Sequence, residues 1–319
     1  MSGPTALIGT RTSLPSVFTA QPKARARLRD FFSSHIRNRN TRRAYLEAVR
    51  QFSAFCAQHG IVDLAQVEPI HVAAFVEDQL REHSKPTVKQ RLAALRMLFD
   101  WMVVGQVLPV NPAHAVHGPR HMQRKGKTPV LNVDEARALI GAIDTTSLPG
   151  LRDRALIGLM VYTFARVGAA LTMRVEDFYV QGRRGWVRLH EKGGKEHEMP
   201  THHNLDIYLE EYIAAAAIGK NRKGPLFRSA RGRSGELTEN PMLQSDVWRM
   251  IRRRAAQAGI ETEIGCHTFR ATGITAYLKN GGRLEIAQQM AAHESARTTG
   301  LYDRRSDEVS LDEVERIGI

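Results

Sequence analysis

The sequence predicts a mainly α chain with a small antiparallel sheet, arranged as a helical bundle followed by an α+β domain. Three observations predict it. Apolar residues recur at helical spacing over most of the chain, and one segment near residue 190 switches to two-residue alternation around a glycine turn. An acid-free stretch with glycine and proline separates the two halves. A length of 319 residues is long for one domain and suits two, each able to bury its own core.

Residues 1–22 carry Pro, Ser and Thr without periodicity and read as a flexible tail. The bundle is expected over 23–115. In TRRAYLEAVRQFSAFCAQHG, Asn40 is placed to cap, Tyr45, Val49, Phe52 and Cys56 share a face, and Gly60 supplies the stop. Cys56 is therefore core, not chemistry. A helix is expected from about Pro69 to Glu82, and in KPTVKQRLAALRMLFDWMV the residues Val88, Leu92, Leu95, Phe99 and Met102 form one stripe before the turn at Asn111-Pro112. Residues 116–130 read as the linker. Its VHGPRHMQRKGKTP carries Arg120, Arg124, Lys125 and Lys127, and is either a solvated tether or a strip along a phosphate backbone.

The second domain, 131–319, opens at LNVDEARALIGAI, where Asn132 and Glu135 fit a capping box and Val133, Ala136, Leu139 and Ile140 supply a face. WVRLHEKGGKEHEMP alternates around Gly193-Gly194 as a β-hairpin does. LDIYLEEYIAAAAIG, SDVWRMIRRRAAQAG, TFRATGITAYLKNG and RLEIAQQMAAH all have helical spacing.

Composition narrows the partner. With 46 Lys+Arg against 33 Asp+Glu the formal charge is +13, and the pI is near 10.1. Such a balance favours a polyanion, nucleic acid first and an anionic membrane second. No apolar run approaches the roughly 20 residues of a membrane span. Two cysteines cannot make a disulfide framework and the N-terminus lacks a signal-peptide pattern, so a cytoplasmic protein is expected.

Familiar motifs fail in the hairpin region. HEMPTHH has Thr201 where a zincin helix needs its second histidine, and Pro200 would break that helix. GGKE lacks the first glycine and the Ser/Thr of a phosphate loop. His190, His197, His202 and His203 are better explained as a solvated hairpin edge than as a metal site.

The polar residues near the C-terminus fit one reaction when taken together. His267 and Arg270 form a His-x-x-Arg pair at a helix start, His293 follows in AAHES, and Tyr302 comes after it in LYDRR. Singly, each has a plain structural explanation: a packing pair, a core tyrosine, and for Arg166 a helix-dipole partner. Jointly they match what attack on a phosphodiester needs: a nucleophile, cationic donors for the phosphoryl oxygens, and an acid for the departing sugar oxygen. Side chains fill that inventory without a metal.

In these residues, from about 23 to 319, the chain resembles the tyrosine recombinases, also called phage-type integrases. TFARVGAALTMRVEDF is similar to the segment bearing the family's first arginine, here Arg166. HEKGGKEHEMP is similar to its hairpin, with Lys192 before the glycine turn, CHTFRATGIT supplies His267 and Arg270, and AAHESARTTGLYDRR supplies His293 and Tyr302. NTRRAY, the VNPA end of the bundle, LRDRALIGLMVYT and AGI agree more weakly. The resemblance implies a helical DNA-binding domain ahead of an α+β catalytic domain. It also implies double-stranded DNA as partner, a homotetramer on paired sites, a nucleoid location, a 3′-phosphotyrosine intermediate, Lys192 as general acid and no ATP or other cofactor.

Three departures stand out. Ala169 replaces the acid usual three positions after Arg166, Phe164-Ala165 replace the common Gly-Leu, and Ala271 replaces a frequent second basic residue after Arg270. A type IB topoisomerase and a non-catalytic DNA-binding protein on the same fold are the alternative readings, the first weakened by the N-terminal bundle, the second by the intact Lys192 and Tyr302. Arg42 and Arg43 near one helix start, Lys85 and Lys89 at another, and Arg124 and Lys125 in the linker suit phosphate contacts that complete a clamp on DNA. An ordinary solvated basic face explains any one of them as well.

Overall fold

The apolar stripes of the first half become the core of an all-helical unit. The computed structural model describes residues 16–122, 126–191, 194–232, 234–303 and Ile317, and the chain divides into two units, 1–122 and 123–319. The first contains α1 (Pro22–Asp30), α2 (Arg39–Gln58), α3 (Pro69–Glu82) and α4 (Lys85–Val104). Val49, Phe52 and Cys56 of α2 meet Val88, Leu92, Leu95, Phe99 and Met102 of α4 in one buried cluster. Burial pushes the Cys56 thiol up to about 12, so it acts as a small apolar side chain.

Two sequence expectations are corrected here. Asn38, not Asn40, caps α2: Asn38 is extended and its side chain accepts from the N–H groups of Asn40 and Thr41, whereas Asn40 is already inside the helix. The tail expected over 1–22 ends earlier. Val17 and Phe18 are buried in a 3-10 turn, and the Phe18 ring lies 6.3 Å from Phe52 and 6.0 Å from Phe99. Val17 and Phe18 stand beside Pro15, Ser16 and Thr19, a composition that reads as tail.

The second unit contains α5 (Val133–Gly141), α6 (Leu148–Tyr162), α7 (Val167–Thr172), β1 (Phe178–Gln181), β2 (Arg184–His190) and β3 (Glu196–Pro200). It continues through α8 (His203–Ala215), β4 (Arg228–Ala230), β5 (Leu237–Pro241), α9 (Gln244–Gln257), α10 (Cys266–Lys279), α11 (Leu284–Met290) and α12 (Ala296–Gly300). The capping box at α5 is present, with Asn132 and Glu135 each accepting from the other's N–H at 2.8 Å. The β2–β3 hairpin forms with Val187 opposite Met199. Val187 and Leu189 point into the core while Arg188 pairs with Glu198 at 2.7 Å on the outer side. Strand β1 joins this sheet in the order β1-β2-β3, and β4 pairs with β5 separately.

Helix α10 is the axis of the unit. Thr268 to Thr275 are all buried, so this helix has no solvent stripe. Nearby, the buried Asp153 carboxylate on α6 receives two guanidinium forks, from Arg152 at 3.1 and 2.7 Å and from Arg254 of α9 at 3.1 and 2.8 Å. These four charge-assisted bonds satisfy both carboxylate oxygens in the core.

At the crossing of α10 and α6, a Cβ on Gly273 would stand 2.1 Å from the Val161 carbonyl oxygen and 2.8 Å from the Phe164 ring. Helix propensity favours Ala over Gly by about 1 kcal/mol, but overpacking costs about 1–3 kcal/mol and backbone cannot step aside. Gly273→Ala should therefore lower the melting temperature of the chain. An unchanged or raised value would show that the crossing is loose.

Candidate active site

Arg270 projects from the buried face of α10 and is 2% exposed. Its guanidinium donates to the carbonyl oxygens of Phe164 and Ala291, which end the turns after α6 and α11. Both turns use the left-handed region at a residue with a Cβ: Phe164 at φ 56° and Ala292 at φ 45°. Phe164 occupies this position in place of the glycine that would adopt it freely. Its ring packs with Ile274, Leu278, Ala287 and Ala291, a gain that offsets the backbone strain.

Two residues beyond Phe164, Arg166 sits at the N-cap of α7, and its Nη1 donates to Glu191 Oε2 at 2.6 Å. The Glu191 side chain is 4% exposed, that of Arg166 36%. Two residues beyond Ala291, His293 is buried with Nδ1 2.9 Å from Thr299 Oγ1. The rings of His293 and Tyr302 stack at 5.8 Å and 6°. Tyr302 is further held by Thr275 Oγ1, which donates to its carbonyl at 3.0 Å, and its phenol lies close enough to Arg270 to raise the pKa of that guanidinium. His267 stands at the start of α10 with an exposed edge.

Charge sets the protonation of this group. Burial, then the neighbouring Arg166, brings Arg270 down to about 10, which leaves it cationic at neutral pH. Burial, then Arg270 and Arg166, pushes His293 down to about 4, and the same causes lower His267. Both imidazoles are thus neutral, able to donate from one nitrogen and accept at the other.

The structure brings Arg166, His267, Arg270, His293 and Tyr302 together; Lys192 lies outside the described residues, between Glu191 and the turn residue Gly194. Sequence reading missed Glu191, Thr275 and Thr299. None had a signal along the chain: Glu191 is one of the hairpin's acids with Glu196 and Glu198, and Thr275 and Thr299 match no motif. The reading of the hairpin histidines as one solvated edge is corrected. His197 is half-buried with an Nδ1 that has no partner among the described residues, and burial lowers its pKa. His190 faces Asp177 and Glu196, and His202 stacks on Tyr162 at 4.3 Å. No group of three or more His, Cys, Asp or Glu among the described residues is arranged to hold a metal.

In the first unit, Arg43, Lys85 and Lys89 are exposed. Arg42 instead donates from Nε and Nη2 to the Ile36 carbonyl at 3.1 and 2.8 Å, fixing the entry to α2. Arg124 and Lys125 lie outside the described residues. No helix among the described residues is long and apolar enough to cross a membrane.

A tyrosine beside arginines and neutral histidines is chemically suited to phosphoryl transfer. Comparison with known proteins gives the family. The phage integrase family matches residues 129–308, and its N-terminal SAM-like domain matches 25–104. Tyrosine recombinase XerC of Thermodesulfovibrio yellowstonii is 28% identical over 283 residues, covering 85% of this chain and 89% of its own. Tyrosine recombinase XerD of Listeria monocytogenes serotype 4b is 26% identical over 269 residues, covering 82% and 87%. Among solved structures, the XerH recombinase bound to a palindromic difH substrate aligns with a TM-score of 0.68 at 18% identity, covering 95% of this chain and 89% of that one. A lambda integrase dimer on a COC′ core site aligns at 0.67 and 19%, covering 89% and 77%. The chain belongs to the phage integrase family, the tyrosine recombinases that break and rejoin DNA strands.

The depressed His293 has a pH signature. The unfolded chain takes up this proton near 6.5 and the folded one near 4, so stability is complete above pH 6.5 and falls as pH drops from about 6.5 to about 4. In an NMR titration the His293 ring should titrate near 4. A midpoint near 6.5 would refute the buried, cation-flanked environment.

Proposed function

We propose that Tyr302 is the nucleophile of a site-specific recombination reaction on double-stranded DNA, with Arg166, Lys192, His267, Arg270 and His293 as the other parts of the site. One observation supports this most. The Tyr302 ring is stacked on His293 at 5.8 Å and its phenol interacts electrostatically with Arg270, so the side chain that can form the covalent link already lies beside a cation suited to the phosphate.

In this reading the phenol oxygen attacks phosphorus, the bond to the 5′ oxygen breaks, and a 3′-phosphotyrosine remains. Neutral His267 takes the phenolic proton, and Lys192 protonates the departing 5′ oxygen. Arg166 and Arg270 hold the nonbridging oxygens where charge builds, and His293 adds a donor from Nε2 once the Thr299 hydroxyl donates to its Nδ1. Attack by a 5′-hydroxyl of a partner strand reseals the link. Bond energy is conserved, and no nucleotide cofactor enters.

The test is incubation with a nicked suicide duplex in the presence of a chelator. Wild-type protein should form a covalent adduct, Tyr302→Phe none, with DNA affinity within about twofold because only the attacking oxygen is lost. Arg270→Ala should be slowed by about a hundredfold or more. An adduct in Tyr302→Phe would overturn the assignment. Strand exchange between two duplexes is expected of a recombinase, and relaxation alone would point to a topoisomerase-like activity.

The wider assembly belongs to the same proposal. A 23–115 bundle and a 131–319 catalytic domain, joined by the 116–130 linker, would grip DNA as a homotetramer on paired sites in the cytoplasm, at the nucleoid. A solved lambda integrase tetramer on a Holliday junction, with a TM-score of 0.66, supports the tetramer. Exposed Arg43, Lys85 and Lys89 suit phosphate contacts, as do Arg124 and Lys125. Arg42, tied to Ile36, would add positive charge while shaping the helix start. Replacing Arg43, Lys85 and Lys89 together by alanine should make the slope of log affinity against log salt shallower by about three, about one per lost phosphate contact. An unchanged slope would assign them to a solvated face.

A further inference from the structure

We propose that Glu191 is the positioning residue for Arg166, doing in this chain the work of the acid that position 169 lacks. The inference rests on Arg166 holding the phosphate. Ala169 lies in α7, is 5% exposed, and carries no side-chain acceptor that could orient a guanidinium. Glu191 stands at the end of β2 with a side chain 4% exposed, and its Oε2 takes the Nη1 of Arg166 at 2.6 Å. A carboxylate so buried needs a countercharge, and Arg166 is the side chain ion-paired to it.

The arrangement leaves the fork usable. Nη1 is occupied by Glu191, while the Arg166 side chain as a whole stays 36% exposed, so its other donors remain for an anion. The carboxylate also moderates repulsion within the site: Arg166 lowers the pKa of Arg270 and Glu191 raises it. One acid therefore orients one arginine and offsets the pair's mutual charge. Its own place is fixed by backbone, since Glu191 N–H donates to the Lys195 carbonyl at 2.7 Å across the hairpin end. The orientation of Arg166 is thereby tied to the hairpin end, where Glu191 meets Lys195.

The proximity to Lys192 offers a rival role, in which Glu191 steers the general acid. Single-turnover adduct formation by the full chain on a nicked suicide duplex separates the two. Glu191→Gln should slow the step by about 10–100-fold, the range typical of residues that orient a functional group, with DNA affinity within about twofold. Glu191→Asp should recover part of the rate. In an Arg166→Ala background, Glu191→Gln should cost less than about twofold, because the residue it acts through is gone. A substrate with sulfur as the bridging 5′ atom, which leaves without a proton, should keep the Glu191→Gln deficit.

A wild-type rate in Glu191→Gln, an undiminished loss in the Arg166→Ala background, or recovery on the sulfur substrate would each overturn the proposal. Melting curves of the variants guard against misfolding; a rate loss in Glu191→Gln that Glu191→Asp does not recover, with the fold also destabilised, would make Glu191 merely structural. Should Arg166→Ala itself cleave normally, the reading of Arg166 fails. Should Arg166→Ala be impaired and Glu191→Gln not, only the present inference fails.

Discussion

The burial of one guanidinium, that of Arg270, is the constraint on which the second unit's geometry depends. Taking such a cation out of water costs several kcal/mol unless its donors are satisfied, and a core helix offers none of its own carbonyls sideways. The donors are met by Phe164 and Ala291, at the ends of two turns remote in sequence. Arg166 follows the first carbonyl by two residues and His293 follows the second by two. Satisfying Arg270 therefore sets the spacing of the site. The left-handed residues at Phe164 and Ala292 are the local strain this arrangement requires, and the Phe164 ring recovers free energy by packing beside Gly273, where any larger residue would collide with it.

A second consequence is electrostatic. Two arginines converge while the carboxylate of Glu191 faces only one of them directly, so the site has positive potential without a full internal partner. Burial first, and then that field, disfavour imidazolium at His267 and His293, and both are driven neutral. Neutrality decides what these residues can do. A charged imidazole could only donate, whereas a neutral one can take a proton at one nitrogen, as attack by a phenol requires. In the proposed reaction, burial and the field that would draw a phosphate in would together keep the base neutral.

The legible parts of the fold were those where one face differs from the other. Helices α2, α3 and α4 each bury a stripe and expose the remainder, and their limits follow from Pro69, Glu82 and Lys85 with little error. Helix α10 is buried from Thr268 to Thr275 and has no such stripe; the helical spacing of TFRATGITAYLKNG marked the helix, and His267-x-x-Arg270 marked its chemistry. Strands β1, β4 and β5 have four, three and five residues, too short for alternation to stand out. Asn38 and Asn40 are chemically equal caps, so only the backbone distinguishes them. In the site, Arg166, His267, Arg270, His293 and Tyr302 were readable because their types match a reaction. Glu191 was not, because its role depends on where the hairpin end meets the N-terminus of α7, a tertiary fact that spacing along the chain does not carry.

The cations and the nucleophile are mounted differently, and that difference suits the chemistry. Arg270 is fixed in the most buried helix of the unit. Tyr302 follows α12, a five-residue helix that would be marginal alone, and depends on a few anchors: Thr275 to its carbonyl, His293 to its ring, and the apolar cluster around Phe164. Segments with few buried contacts open at lower free energy than the core around them. In the proposed reaction a nucleophile that attacks a phosphate and then stays bonded to the cut strand would have to shift while the charge-bearing groups hold still. Arg270 in the buried α10 and Tyr302 on a lightly held segment packed against it would suit both needs.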